Sequence, residues 1–238
     1  MRIVIKVGTS TLAHPTGHLN IRHVEHLCKV LSDLKNAGHQ IILVSSGAIG
    51  MGVGKLHLAQ RPADMPSKQA AAAVGQCELM YTYDKLFAEY NHTVAQILLT
   101  GDDILDPQRK SNFQNTLYRL LELDALPVIN ENDTVATKEI AVGDNDTLGA
   151  IVAGCAKADL LVLLSDINGL YTADPKSDPS AVLIERVEDL TPELYALAGK
   201  KGSDLATGGM ITKLHAAEIA LSAGVEMIIY NGSYPECL

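Results

Sequence analysis

Short apolar runs alternate with longer segments of helical spacing along most of the chain. The runs are rich in aliphatic and β-branched residues and are bounded by Gly, Asn, Asp or Ser, which predicts buried strands. They span residues 2–7, 41–44, 94–99, 126–129, 160–164 and 225–230. Apolar positions at helical spacing predict helices at residues 20–35, 67–90, 111–123, 147–157 and 207–222, with Ser67 as the cap of the second. The first strand–helix–strand unit has an ordinary length, which predicts parallel strands with a right-handed crossover.

A dense group of short polar side chains follows the fourth predicted strand. Residues 130–133 read Asn-Glu-Asn-Asp, and residues 143–147 read Gly-Asp-Asn-Asp-Thr. Because ligands collect at the carboxyl ends of strands in open α/β sheets, we expect a site here for an ammonium group, a metal ion or a fixed water. An Asx-rich turn followed by a helix cap at Asp144 or Asn145 explains the same residues. The stretch alone leaves both interpretations open.

The first predicted strand carries a lysine, Lys6, near its carboxyl end. Burying an unpaired ammonium group is costly. The lysine therefore either faces a bound anion or points to water from an edge strand. Gly8-Thr9-Ser10 follows, with a flexible backbone and two hydroxyls suited to approaching a phosphate, although the Walker P-loop spacing is absent.

Two glycine-rich stretches are further candidates for ligand binding. Residues 45–54 lack the spacing of a dinucleotide-binding loop, and we expect a loop in which the Ser46 hydroxyl and the glycine amides meet a ligand's carboxylate. A plain tight turn is the alternative. Residues 207–210 open the last predicted helix, with Lys213 on its first turn, which suits an anion. A glycine-rich loop beside a solvated lysine is the alternative there.

Composition narrows the classes of function. The 238 residues suffice for one large α/β domain or two small ones, and 47% hydrophobic residues without Trp predict an aliphatic core. The net charge of −9 disfavours general nucleic-acid binding, because phosphate backbones need clustered Lys and Arg. The four cysteines are widely spaced, which predicts reduced thiols in a cytoplasmic protein. We expect neither a signal peptide nor a membrane span.

Six motifs occur in an order that resembles the glutamate 5-kinases, a branch of the amino acid kinase family. They lie at residues 5–10, 45–48, 127–133, 142–146, 169–175 and 207–213. The most specific part is the sequence INEND followed by VGDND and then TGGMITK. The resemblance runs from Lys6 to about Gly232, which is essentially the whole chain.

The resemblance implies a fold and an activity. The fold is a single amino acid kinase domain over residues 1–238, an α/β/α sandwich of three layers with a mainly parallel central sheet. Residues 1–150 would bind mostly glutamate and residues 151–238 mostly the nucleotide. The activity is ATP- and Mg²⁺-dependent phosphorylation of the γ-carboxylate of L-glutamate to L-glutamyl 5-phosphate, the first step of proline biosynthesis. Feedback inhibition by proline and self-association into dimers or tetramers are also implied.

The resemblance also assigns residues, motif by motif. Ser46, Asp133, Asn145 and, by proximity, Asp144 would contact glutamate. Lys6 and Lys213 would neutralise the phosphates and Asp146 would orient both lysines, which makes these three the catalytic set. The other nucleotide contacts would be Ser165, Asp166, Thr207, Gly208, Gly209, Met210, Ile211 and Thr212. No protein ligand is assigned to the metal, because Mg²⁺ that bridges phosphates keeps several waters.

The sequence departs from the family in places, and other functions compete. Many relatives carry a C-terminal PUA domain, which we do not expect in these residues. The chain ends soon after the strand ending at Tyr230, so we expect the sheet to lack an edge strand, and Ser165 stands where relatives often have Thr.

The competing enzymes are kinases for acetylglutamate, aspartate or UMP; acetylglutamate has no free ammonium for Asp133, and UMP calls for more Arg. A non-catalytic regulator and a dinucleotide oxidoreductase are the other classes. The presence of both lysines and the missing GxGxxG spacing argue against these two.

Overall fold

The computed structural model describes residues 1–14, 18–137, 142–175, 177–198 and 209–238. The strands are β1 (Arg2–Val7), β2 (Gln40–Ser45), β3 (Val94–Leu99), β4 (Leu126–Glu131), β5 (Leu160–Ser165), β6 (Leu170–Tyr171), β7 (Leu183–Ile184) and β8 (Glu226–Asn231). The helices are α1 (Thr9–Leu12), α2 (Ile21–Asn36), α3 (Ala48–Lys55), α4 (Met65–Ala88), α5 (Gly101–Leu105), α6 (Pro107–Glu122), α7 (Asn145–Ala156), α8 (Pro192–Ala198) and α9 (Met210–Ser222), followed by a 3₁₀ turn at Pro235–Cys237.

A parallel sheet of six strands forms the centre of the described residues, in the order β3-β4-β2-β1-β5-β8. The short strands β6 and β7 pair antiparallel in a separate two-stranded sheet. All six predicted strands are present in the large sheet, which confirms the α/β class and the mainly parallel arrangement. Because the strands are parallel, the carboxyl ends of β1, β2, β4 and β5 meet at one edge of the sheet.

Two apolar layers cover the two faces of the sheet. One layer joins inward-facing strand residues to α6, α7 and α9, and includes Val4, Phe113, Leu148 and Ala216. The other joins the opposite strand face to α2 and α4, and includes Ile5, Leu27 and Tyr83. Helices on both faces of one sheet give the three-layer α/β/α arrangement that the resemblance implies.

The structure excludes one alternative that the sequence leaves open and corrects two local predictions. Lys6 does not lie on an edge strand, because β1 pairs with β2 on one side and with β5 on the other. The glycine-rich residues 48–55 form the helix α3 instead of a loop. The cap of α4 is Asp64, whose carboxylate accepts a hydrogen bond from the Ser67 amide at 2.9 Å, so Ser67 lies inside the helix.

Glycine permits close contact between α3 and α4. A Cβ on Gly75 would lie 1.7 Å from the Ala48 carbonyl oxygen, and a Cβ on Gly52 would lie 1.8 Å from that of Ala71. No larger residue fits either position without moving a backbone. This contact holds the middle of α4 against the chain that leaves β2.

Within the described residues, no helix combines the length and the apolar character that crossing a membrane requires.

Candidate active site

Two lysines from opposite ends of the chain meet on one buried carboxylate. Lys6 Nζ lies 2.6 Å from Asp146 Oδ1, and Lys213 Nζ lies 2.9 Å from Asp146 Oδ2. The exposed fractions are 8% for Lys6, 5% for Lys213 and 2% for Asp146. The Thr212 hydroxyl also donates to Asp146 Oδ2 at 3.2 Å. The structure therefore brings the three predicted catalytic residues into one cluster.

Local structure explains how these three residues converge. Val4 belongs to the apolar layer under α7 and α9, and side chains alternate along a strand, so Lys6 points to the same face. Asp146 lies in the first turn of α7, and Lys213 lies in the first turn of α9. A Cβ on Gly149 would lie 3.4 Å from Lys6 Cβ, so the glycine lets α7 pass close over the lysine stem.

The charges of the cluster determine its protonation. Burial alone would raise the pKa of Asp146, but the attraction and hydrogen bonds of Lys6 and Lys213 outweigh burial and hold that pKa below its ordinary value. Asp146 is therefore ionised at neutral pH. One carboxylate between two ammonium groups leaves a net positive charge, which is suited to binding an anion.

Asp144 is the N-cap of α7. Its Oδ1 accepts hydrogen bonds from the amides of Asp146 and Thr147, each at 2.9 Å, and its Oδ2 accepts one from the Thr147 hydroxyl at 2.9 Å. The sequence leaves open a ligand site or a helix cap at this position, and these contacts are those of a helix cap. The cap fixes the first turn of the helix that carries Asn145 and Asp146.

A chain of four polar side chains leads away from this turn. Asn145 Nδ2 donates to Ser46 Oγ at 2.8 Å and to Asn130 Oδ1 at 3.0 Å. Asn130 Oδ1 also accepts the Glu131 amide at 2.9 Å, and Asn130 Nδ2 donates to Gln76 Oε1 at 3.0 Å. The predicted residues Ser46 and Asn145 are thus in direct contact. Because Asn145 precedes Asp146, the network adjoins the lysine cluster.

A small acid-lined cavity lies at the far end of this network. Gln76, Ala48, Glu131 and Asp133 are among its lining residues. Burial raises the pKa of Asp133, with the positive charge of Arg61 acting in the opposite direction. Burial also raises the pKa of Glu131, and the neighbouring acids Asp133 and Asp144 add to the increase, whereas its hydrogen bond from the Val142 amide opposes it. Carboxylates in such surroundings favour a cationic partner.

The remaining predicted nucleotide contacts lie at the ends of β5 and α9. Ser165 is the last residue of β5, and its hydroxyl donates to Asp166 Oδ1 at 3.3 Å. Gly209 is the N-cap of α9 without a side-chain cap, and Met210, Ile211 and Thr212 form the first turn with Lys213. Thr207 and Gly208 lie outside the described residues.

Sequence reasoning missed Asn130 and Gln76 as individual site residues. Asn130 was noted only as part of a polar stretch, although its position at the end of β4 is a signal that could have singled it out. Gln76 lies in the middle of a long helix with no recognisable motif around it. The sequence signal that points toward Gln76 is the preceding Gly75, because the close contact with Ala48 requires a glycine there.

A second cleft lies on the α2 and α4 side of the described residues. It is lined by residues from the start of α2, the end of α4 and residues 233–236, including His14, His23 and His26. It shares no residue with the predicted set. In the described part of the chain, no group of three or more His, Cys, Asp or Glu side chains could hold a metal ion.

Comparisons with known proteins show the family to which the chain is similar. The profile of the amino acid kinase family matches residues 1–231. The chain is 55% identical over 236 residues to a glutamate 5-kinase of Clostridium tetani, covering 99% of this chain and 88% of the relative. It is 54% identical over 237 residues to that of Clostridium acetobutylicum, covering 100% and 89%.

Solved structures of lower identity share the fold. The product complex of an isopentenyl phosphate kinase from T. acidophilum superposes with a TM-score of 0.65 at 17% identity, covering 99% of this chain and 93% of that one. The carbamate kinase from Giardia lamblia bound to AMP-PNP gives a TM-score of 0.68 at 17% identity, covering 99% and 94%. At this identity the likeness concerns the fold alone.

Proposed function

The chain belongs to the amino acid kinase family and within it groups with the glutamate 5-kinases, and we propose that it transfers the γ-phosphoryl group of ATP to the γ-carboxylate of L-glutamate. The products are L-glutamyl 5-phosphate and ADP, and the reaction is the first step of proline biosynthesis. The observation that carries this proposal is the buried pair Lys6 and Lys213 on Asp146, adjoining a polar network that ends in an acid-lined cavity.

The lysine pair would hold the phosphates. The reaction joins two anions, a carboxylate and a triphosphate, so positioning and positive charge must overcome their repulsion. Lys6 and Lys213 supply that charge, and Asp146 fixes the direction of both ammonium groups. A Cβ on Gly8 would lie 3.4 Å from Lys6 Nζ, so the glycine leaves the space beside this ammonium open for phosphate oxygens.

The acceptor needs no general base. The γ-carboxylate of glutamate has an ordinary pKa near 4.3 and is ionised at neutral pH. Catalysis then consists of holding this nucleophile in line with the phosphoryl group and stabilising the charge that is transferred. The Ser46 and Asn145 side chains, fixed to each other at 2.8 Å, would orient glutamate toward the lysine cluster, and Asp133 would hold its ammonium group.

Magnesium would accompany ATP. The described residues offer no cluster of three or more His, Cys, Asp or Glu side chains for a metal ion. Mg²⁺ that binds with a nucleotide usually keeps several waters, and we assign it no side chain. When bound, the ion would neutralise part of the phosphate charge. The protein's own contribution is the pair of fixed ammonium groups.

The two parts of the domain would share the work. Residues 1–150 would bind mostly glutamate through Ser46, Asp133 and Asn145, with Asp144 acting through the α7 cap. Residues 151–238 would bind mostly the nucleotide through Ser165, Asp166 and residues 207–213. A cytoplasmic location, inhibition by proline and assembly into dimers or tetramers are further expectations from the family.

A coupled ADP-release assay tests the proposal. The purified protein is given ATP and Mg²⁺ with L-glutamate, acetylglutamate, aspartate or UMP as the acceptor in separate reactions. We expect turnover with glutamate and little with the other three. Turnover with acetylglutamate or UMP that exceeds the rate with glutamate would reject the assignment of the acceptor. Without turnover on any acceptor, the kinase assignment itself would fail.

A further inference from the structure

Gln76 carries a buried hydrogen-bond donor to which the proposed function assigns no partner. The residue is 7% exposed, and its Nε2 has no hydrogen-bond partner among the described residues. Buried polar groups without a partner are rare, and each requires an explanation. Gln76 also lines a small cavity together with Asp133 and Glu131.

The orientation of the Gln76 amide follows from a backbone group. The Glu131 amide can only donate, so the atom of Asn130 that it contacts at 2.9 Å must be Oδ1. The Asn130 Nδ2 then faces Gln76, and as a donor it requires the oxygen of the Gln76 amide at 3.0 Å. The Nε2 group of Gln76 is therefore directed away from Asn130, and it is the group without a partner.

Helix packing fixes the position of this amide. Gly75, the preceding residue, contacts Ala48 so closely that a Cβ would lie 1.7 Å from the Ala48 oxygen. The contact presses α4 against the first turn of α3, which begins two residues after Ser46. Gln76 is thus held rigidly between the Ser46 segment and β4, as a group that binds a ligand must be.

We propose that Gln76 donates a hydrogen bond through Nε2 to the α-carboxylate of the amino acid substrate. This inference rests on the proposed function. An α-amino acid carries its ammonium and its carboxylate on one carbon, so a cation acceptor and an anion donor must lie side by side. Asp133 and Gln76 line the same cavity and supply this pair. A neutral amide can donate to the carboxylate without forming an ion pair with Asp133. A lysine or arginine at this position would pair with Asp133.

The test separates binding from catalysis. KM for glutamate, KM for ATP and kcat are measured for the wild type, Gln76→Ala and Gln76→Glu, with Gln96→Ala, an exposed glutamine on β3, as the control. We expect Gln76→Ala to raise KM for glutamate on the order of 10- to 100-fold, as for loss of a hydrogen bond to a charged group. We expect kcat and KM for ATP to stay near the wild-type values. Gln76→Glu keeps the shape and should raise KM further, because it places a carboxylate against a carboxylate.

Two glutamate analogues, measured as competitive inhibitors, identify the group that Gln76 contacts. In 4-aminobutyrate the α-carboxylate is absent, so Gln76→Ala should leave its inhibition constant unchanged. Glutarate keeps that carboxylate and lacks the ammonium, so the variant should still weaken its binding. An unchanged KM for glutamate, or an equal loss for 4-aminobutyrate, would overturn the inference and assign Gln76 to support of Asn130 or of a buried water. If the wild type does not turn over glutamate, the proposed function fails instead.

Discussion

Replacing Asp146 by Asn tests the buried charge cluster most severely. The carboxylate offers one oxygen to Lys6 at 2.6 Å and the other to Lys213 at 2.9 Å. Asparagine offers one oxygen and one NH₂ group, so one ammonium would face a donor, and both lysines would lose their counter-ion. Because all three residues are at most 8% exposed, water cannot replace the lost partner.

The size of the effect follows from this burial. Removing one partner of a buried ion pair costs about 3–5 kcal/mol in stability. For a domain of this length each kcal/mol corresponds to about 2–4 °C in Tm, so the ligand-free variant should melt about 6–20 °C below the wild type. We also expect kcat to fall on the order of 100-fold, because the lysines lose their orientation. ATP should stabilise the variant at least as much as the wild type, since its phosphates supply the missing negative charge.

Calorimetry with and without ATP provides the measurement, and Asp84→Asn, at an exposed position on α4, provides the control.

The pH dependence of stability gives a second readout. Since the pKa of Asp146 is lowered in the folded protein, its stabilising effect is complete above about pH 4 and is lost as the pH falls through the folded pKa. The gap in stability between wild type and variant should therefore be constant above about pH 4 and narrow below it. A variant with the wild-type Tm at neutral pH would refute the reasoning.

Three further predictions address other parts of the site. Lys6→Ala or Lys213→Ala should each lower kcat on the order of 100-fold or more, and near-normal turnover would remove that lysine from the catalytic set. Asp133→Asn should chiefly raise KM for glutamate, because the substrate's ammonium group would lose its ionised partner, and an unchanged KM would contradict the role. Gly75→Ala should destabilise the fold by about 1–3 kcal/mol or more through its clash with the Ala48 oxygen, and wild-type unfolding in urea would show that the two helices separate freely.

The physical pattern of the sequence predicted most of the sheet and a candidate site at the carboxyl ends of its strands. Lys6 near the carboxyl end of a strand indicated a buried cation, and the polar residues after β4 indicated a ligand site at the same edge of the sheet. The spacing of residues in the sequence could not predict contacts between residues that are far apart in the chain. The convergence of Lys6, Asp146 and Lys213 was inferred from the order of family motifs, and the ion pairs on one carboxylate are visible only in the structure.

The wrong prediction of a loop after β2 has a physical cause in helix packing. The glycine-rich segment after β2 was predicted to be a loop, because glycine lowers helix propensity. It forms α3 because Gly52 permits contact with Ala71, so tertiary packing outweighs propensity. Gln76 could not be predicted for a related reason, since its position depends on the same helix contact and no motif surrounds it. The start of α4 at Asp64 was recoverable, because Pro66 marks a first turn.

The most direct measurement is a crystal structure of the protein with AMP-PNP, Mg²⁺ and L-glutamate. The account predicts both Lys6 Nζ and Lys213 Nζ within hydrogen-bond distance of phosphate oxygens of the same nucleotide. It also predicts the glutamate γ-carboxylate beside Ser46 and Asn145, facing the terminal phosphate. A nucleotide whose phosphates lie away from either lysine, or a glutamate bound in a cleft that does not adjoin them, would contradict the account.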